Sequence, residues 1–236
     1  MSSVKRTGWR VIALLAVFSL LLAACGDDDD ETTGGATDAT TDSGGAATAT
    51  IGFAGALTGD NANLGINIRD GIRVAVEEEN AKGGTRIALK EFDTAGDPAQ
   101  ASTVKDRFIG DSSVIGLVGT AFSGETRAVI PDLANAGLVM ISPSATNKDL
   151  PNLVPNNPTF HRVIGDDLLQ SFGIGRFLAE IEKPASVAYV HDNSEYGKAL
   201  TIDTEKEASG RGIRRVGDIF TGDPKAQDFS ATVNSV

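Results

Sequence analysis

The sequence predicts an α/β fold on a mostly parallel sheet, and two patterns predict it. From Thr50 onward, short apolar runs alternate with longer amphipathic ones, with glycine and proline signals at the joints. Strands separated by helical stretches of about 10–15 residues are the mark of right-handed crossover units, which build parallel sheets.

Taken in order, Thr50 to Phe53 reads as a strand ended by Gly55. Leu64 to Glu79 reads as a helix, with Ile68, Ile72, Ala75 and Val76 at helical spacing. Ala81-Lys82-Gly83-Gly84 stops it, because glycine takes the left-handed conformation that closes helices. Ile87 to Phe92 is the next strand. Pro98 to Ile109 is the next helix, with proline near its start, where a missing N–H leaves no bond unmade. Val114 to Val118 is almost continuously apolar, the pattern expected of a strand buried on both faces. Glu125 to Ala134 is helical, Leu138 to Ile141 is a second buried strand, and Phe160 to Val163 is short and extended. Leu168 to Ile181 is a helix, Val187 to Val190 a strand, Gly197 to Ala208 a helix and Val216 to Phe220 a strand; a last helix begins near Asp228. Ligands of such sheets sit beyond the carboxyl ends of the strands, so the loops there are where function is expected.

The first 49 residues follow another logic. Lys5, Arg6 and Arg10 precede an uncharged run from Val11 to Ala24 that ends at Cys25. A basic start, a short apolar centre and small residues at a boundary describe an export signal. The run is shorter than the ~20 residues needed to cross a bilayer core. Leu22-Ala23-Ala24-Cys25 resembles the bacterial lipobox, in which the cysteine is lipidated and becomes the mature N-terminus. Cys25 is the single cysteine, so no internal disulfide can form. Gly26 to Ala49 holds only Gly, Ala, Ser, Thr, Asp and Glu, and is expected to be a disordered tether. Cleavage before Cys25 removes three of 21 basic residues and none of 32 acidic ones, leaving a formal charge of −14. That balance argues against a nucleic-acid partner, whose phosphates select Lys and Arg.

Five segments carry a family resemblance: Gly55-Ala56-Leu57-Thr58-Gly59; Asn80-Ala81-Lys82-Gly83-Gly84; Asp93 through Asp97-Pro98; Met140-Ile141-Ser142-Pro143-Ser144-Ala145-Thr146-Asn147; and His191-Asp192 through Tyr196-Gly197. A sixth is Asp228-Phe229-Ser230-Ala231. In this order they resemble the branched-chain amino acid (Leu/Ile/Val) substrate-binding proteins of ABC transporters. The resemblance implies the two-lobed type I periplasmic-binding (Venus-flytrap) fold, with parallel sheets flanked by helices. After the signal peptide (1–24) and the lipidated cysteine and disordered linker (25–49), it implies a ligand-binding lobe one (50–165) and a partial lobe two (166–236). Because family members continue past this point, a C-terminally truncated lobe two is expected. The export signal and the lipobox at Cys25 imply an exported protein, lipid-anchored to the outer face of the cytoplasmic membrane. Its partners would be an amino-acid-like ligand, ABC permease subunits and, through the anchor, the membrane; no cofactor is expected.

Site residues follow from the resemblance, one by one. Ser123 falls on the family's carboxylate-binding serine; read from the sequence alone, it is also a candidate N-cap of the helix it opens. The Ser144 backbone and the Thr146 hydroxyl face the ligand head group. Tyr196 matches the tyrosine that covers the ligand after closure. Leu64 stands where some relatives carry an aromatic residue lining the side-chain pocket. The family's ammonium-binding acid lies beyond Val236, and no residue present takes that role by resemblance.

Catalytic patterns are absent from the sequence. His191, Asp192 and Ser194 crowd one short loop and cannot build a relay. Ser123 lacks the preceding glycine of a nucleophile elbow, and there is neither a dinucleotide nor a P-loop spacing. Two histidines and one cysteine make a transition-metal site an unexpected feature. The rival readings are a binder of amides, urea or aromatic acids on the same scaffold, a ligand-sensing subunit for a membrane receptor, and an exported enzyme.

Overall fold

The computed structural model describes residues 48–235. The export signal, Cys25 and nearly all of the tether lie outside the described residues. Five parallel strands form the main sheet: β1 (Thr48–Gly55), β2 (Arg86–Asp93), β3 (Val114–Gly119), β4 (Met140–Ser142) and β5 (Phe160–Arg162), in the spatial order β2-β1-β3-β4-β5. Helices α1 (Ala62–Ala81), α2 (Pro98–Ile109) and α3 (Ser123–Ala136) make the crossovers. Because β1 leads outward to β2 and β3 returns on its other side, the order reverses at β1/β3. The loops leaving those two strands therefore open a crevice at their carboxyl ends.

The core lies between the sheet and helices α2 and α3. Phe92 and Phe108 meet edge to face at 5.4 Å, and Leu117, Ile130, Leu133 and Met140 close around them, all buried. Asp97 caps α2 by accepting from the Ala99 and Gln100 amides at 2.7 and 2.9 Å, with Pro98 in the first turn as the sequence requires. Helix α1 starts hard against the loop after β1. A Cβ placed on Gly65 would stand 1.9 Å from the Ala56 carbonyl oxygen, so only glycine permits the approach.

Two strands predicted as buried on both faces are not. Ile115 is 64% exposed, because the register of β3 against β1 passes from Thr50–Val114 directly to Ile51–Gly116 and leaves it as a bulge. On β4, Met140 enters the core while its neighbours Val139 and Ile141 point to the other face and stay exposed.

After β5 the chain turns at Gly165-Asp166 into α4 (Asp167–Phe177), which runs on through a wider turn, Leu178–Glu182. Asp166 caps α4 by accepting from the Leu169 amide at 3.1 Å. Then come β6 (Ser186–Val187), β7 (Val190–His191), α5 (Glu195–Gly210), β8 (Arg214–Arg215), β9 (Phe220–Thr221) and α6 (Ser230–Asn234), with β6 paired to β8 and β7 to β9, both parallel. The single strands predicted over 187–190 and 216–220 are thus each corrected. The first divides into β6 and β7, and the second run is displaced into β8 and β9. Gly217 causes the break: it sits at φ +62°, and its carbonyl accepts from Arg215 Nε at 2.9 Å, which turns the chain between the two pairings. Helix α5 packs on α4 and on α3. Two ion pairs tie it to the main sheet's side, Arg127–Glu195 and Lys148–Asp203, each 2.6 Å. Among the described residues no helix is long and apolar enough to cross a membrane.

Candidate ligand-binding site

Hydrogen bonds hold the loops at the mouth of the crevice in place. Asp93, at the end of β2, accepts from the Leu57, Thr58 and Ala95 amides at 2.9, 3.2 and 2.9 Å and from the Thr58 hydroxyl at 2.6 Å, which fixes the loop between β1 and α1. Burial alone would raise its carboxyl, but these bonds outweigh burial and hold it below its ordinary value. The loops after β3 and β4 are stitched together directly. Ser142 Oγ donates to the Thr120 carbonyl at 2.6 Å, and Ser144 Oγ donates to the Ala121 carbonyl at 2.7 Å. Ser123 Oγ accepts from the Asn147 amide at 3.2 Å.

These contacts correct one sequence expectation. Ser123 does not cap α3; it is the first residue of the helix, and Phe122 holds the cap position. The capping bond comes from Glu125, whose carboxylate accepts from the Phe122 amide at 3.1 Å and also takes the Thr94 hydroxyl. Burial pushes the Glu125 carboxyl up, and those two donors pull it part of the way back. Because a side chain three residues along does the capping, the Ser123 hydroxyl is released from that duty. Its oxygen is engaged by Asn147 while its hydrogen remains available.

Ser123, Ser144, Thr146, Tyr196 and Leu64 all line one cavity of about 690 Å³. That size falls within the usual range of small-molecule sites, about 300–1,000 Å³. The N-terminal turn of α3 opens onto it, bringing backbone amides with no intrahelical partner and a partial positive charge. Leu64 is half exposed on the wall formed by the start of α1. Tyr196 stands opposite, in the first turn of α5, and donates its hydroxyl to Gln170 Oε1 at 3.3 Å. Ser194 caps α5 through the Gly197 amide at 2.9 Å. Ser144 spends its hydrogen on Ala121, so it meets the cavity with its lone pairs and backbone.

Sequence reasoning missed Asn67, Phe122, Ile164 and Gln170, which also line the cavity. Asn67 and Gln170 sit one helical turn from Leu64 and within one turn of the Asp166 cap, a spacing that points them to the same end as the loops. A second cavity of about 670 Å³ shares Phe122, Ser123 and Tyr196 and holds Arg127 and Glu195. The His191, Asp192 and Ser194 cluster is spent on its own turn: Asp192 accepts from the Ser194 amide and hydroxyl at 3.0 and 2.6 Å, and His191 Nδ1 from the Asn193 amide at 3.0 Å. Among the described residues no group of three His, Cys, Asp or Glu side chains could hold a metal ion.

The site is thus a parallel α/β sheet whose strand-end loops close on a cavity with α4 and α5 across it. The match over residues 48–236 is to the family described as periplasmic binding protein, and the chain belongs to it. Among curated relatives, Leu/Ile/Val-binding protein homolog 2 of Brucella abortus is 34% identical over 187 residues, covering 78% of this chain and 49% of the relative. Among solved structures, the branched-chain amino acid transporter substrate binding protein of Streptococcus pneumoniae, in complex with isoleucine, aligns with a TM-score of 0.69 and 26% identity, over 80% of this chain and 53% of that one. A solute binding protein of an R. palustris ABC transporter, in complex with 4-hydroxybenzoate, shares the fold at a TM-score of 0.69 and 20% identity, over 80% and 50% of the two chains. The chain spans about half the length of the relatives it matches.

Proposed function

We propose that this chain captures a branched-chain or similar amino acid outside the cytoplasmic membrane and delivers it to an ABC importer. In this reading residues 50–165 are ligand-binding lobe one and 166–236 belong to the second lobe, which closes over the ligand. The protein is exported and held at the membrane by lipid on Cys25, whose two acyl chains suffice for lasting attachment. The observation that carries the reading is the convergence of the Ser123 and Thr146 loops on one cavity at the N-terminus of α3.

The chemistry follows from the donors. A ligand carboxylate at the start of α3 would receive backbone N–H bonds, the Ser123 hydroxyl hydrogen and the partial charge of the helix end. An aliphatic side chain would lie against Leu64, Ile68 and the Tyr196 ring. Closure is a population shift, limited in size by the ligand's extra affinity for the closed form. The names of the Brucella and Streptococcus relatives support the amino-acid class.

Calorimetry with leucine, isoleucine and valine tests the proposal, alongside 4-hydroxybenzoate, acetamide and urea for the rival ligand classes. At least one branched-chain amino acid should bind more tightly than all of the rivals. Ser123→Ala should weaken that binding by roughly 1–3 kcal/mol, the value of a hydrogen bond to a charged group. Unchanged affinity in that variant would refute Ser123 as a ligand contact.

A further inference from the structure

Helix α5 belongs to a different core from the sheet it leans toward. The buried apolar cluster of the main sheet draws its members from Ala54 to Phe160, whereas Tyr189, Ala208 and Ile213 form a separate cluster, and no residue belongs to both. The contacts that carry α5 across are polar. Arg127 Nε stands 2.6 Å from Glu195 Oε1, a contact of charge whose N–H is not aligned for a hydrogen bond. The side-chain nitrogen of Asn147, on a residue 2% exposed, reaches the Glu195 carbonyl and Oε1 at 3.5 and 3.4 Å. Glu195 is therefore gripped from both α3 and the loop after β4. Each grip also touches the first cavity. Arg127 sits one helical turn beyond Ser123 on α3, and the Asn147 backbone amide donates to Ser123 Oγ at 3.2 Å.

Successive residues of a helix, at 3.6 per turn, face different neighbours. Glu195 turns to α3, while Tyr196 lines the first cavity and is the one α5 side chain that does so among the described residues. The hydroxyl end of the tyrosine is held by Gln170 of α4. Helix α4 has its own tie to the main sheet's side, the Asp167 amide donating to the Thr146 carbonyl at 2.9 Å. The backbone end of the tyrosine depends on where the first turn of α5 sits. Ser194 serves the helix's own cap, and Glu195 is the side chain of that turn which the main sheet's side holds.

We propose that Glu195 is the positioning residue for Tyr196: drawn to Arg127, it pins the first turn of α5 to α3 and keeps the tyrosine ring facing Ser123 across the cavity. The inference rests on the capture reading above and deepens it by naming what holds the covering side chain in place.

The test is calorimetry with leucine on the full chain. Both side chains of the pair are about one-third exposed, at 34% and 36%, so its contribution is that of a partly screened ion pair. Arg127→Gln and Glu195→Gln should each weaken leucine binding about two- to fivefold. The double variant should lose no more than the larger single one, because the two act as one unit. In a Tyr196→Ala background, Glu195→Gln should change affinity by less than about 1.5-fold, since the residue it positions is gone. Unchanged affinity in both single variants, additive losses in the double variant, or a full Glu195 effect without Tyr196 overturns the inference. A second readout needs no ligand. Arg127→Gln leaves the sequence of α5 intact, yet amide hydrogen exchange at residues 195–200 should speed up about two- to fivefold while residues 167–172 of α4 keep their rate. If wild type binds no leucine, the capture reading fails by itself. The exchange measurement then decides the inference, an unmoved first turn of α5 overturning it.

Discussion

Replacing Gly65 by alanine tests whether helix α1 owes its position to one missing methyl group. The added Cβ would stand 1.9 Å from the Ala56 carbonyl oxygen and 2.6 Å from its carbon, both backbone atoms that no rotamer change can clear. Reaching an ordinary contact of 3.4 Å moves the start of α1 by about 1.5 Å. Alanine is favoured over glycine within a helix by roughly 0.5–1 kcal/mol, whereas overpacking costs about 1–3 kcal/mol. The comparison is cleanest against Gly71→Ala in the same helix, where a Cβ meets nothing within 4 Å. The propensity gain is common to both variants and cancels, so the difference between them is the steric cost alone. Gly71→Ala should stabilise by about 0.5–1 kcal/mol, and Gly65→Ala should fall about 1–3 kcal/mol below it. For a chain of this size that gap is roughly 2–12 °C in Tm. Urea unfolding followed by circular dichroism measures it. Because the first turns of α1 carry Leu64, Asn67 and Ile68 into the cavity, Gly65→Ala should also weaken ligand binding. Equal stability of the two variants would show that the contact with Ala56 is not what holds the helix.

Further outcomes follow from the same geometry. Ser144→Ala removes the bond to the Ala121 carbonyl and should cost about 0.5–1.5 kcal/mol in urea unfolding, since the buried acceptor loses its donor. Lys148→Ala leaves Asp203, whose side chain is 10% exposed, without its cation and close to Asp167. A loss of about 1–2 kcal/mol is expected, below the full penalty for breaking a buried pair because the lysine is partly exposed; a loss under 0.5 kcal/mol would place the pair among inconsequential surface contacts. Asp93 is held below its ordinary value when folded, so its contribution to stability is complete above the unfolded value of about 3.9 and is lost as pH falls through the folded one. The stability gap between wild type and Asp93→Asn should therefore narrow from pH 7 to pH 3, and a constant gap would contradict the assignment. Glu125 has the opposite sign: burial raises it, so the penalty for its charge eases as the pH falls through its folded value toward the unfolded one. Glu125→Gln should accordingly be penalised less, relative to wild type, at pH 7 than at pH 5.

Much of the fold could be read from residue order because local rules govern it. The helix from Pro98 to Ile109 was legible to the residue: Asp97 offers a cap, Pro98 suits the first turn, and Ala101, Val104 and Phe108 recur at helical spacing. The five strands of the main sheet could be found from their apolar runs, with ends misplaced by a residue or two. Where the local signal was thin, the reading slipped. Between 186 and 221 the paired strands are two residues each, and their division depends on Gly217 turning the chain. The bulge at Ile115 could not be seen either, since register belongs to two strands and not to one.

The candidate site divides along the same line. Ser123, Ser144, Thr146, Tyr196 and Leu64 were named by resemblance to a family, and their meeting at one cavity is a fact of tertiary structure. What hydrogen-bond partner each hydroxyl takes was decided in three dimensions. Ser123 yields the helix cap to Glu125 and accepts from Asn147, 24 residues away, and Ser144 serves a carbonyl 23 residues earlier. By itself the sequence determined the α/β class, the order of its main elements and the acidic charge, because backbone propensity, side-chain periodicity and composition act over a few residues. Only the folded chain decided which way each polar group points. That direction is set by whichever partner lies within about 3 Å, and distance in space is not written in distance along the chain.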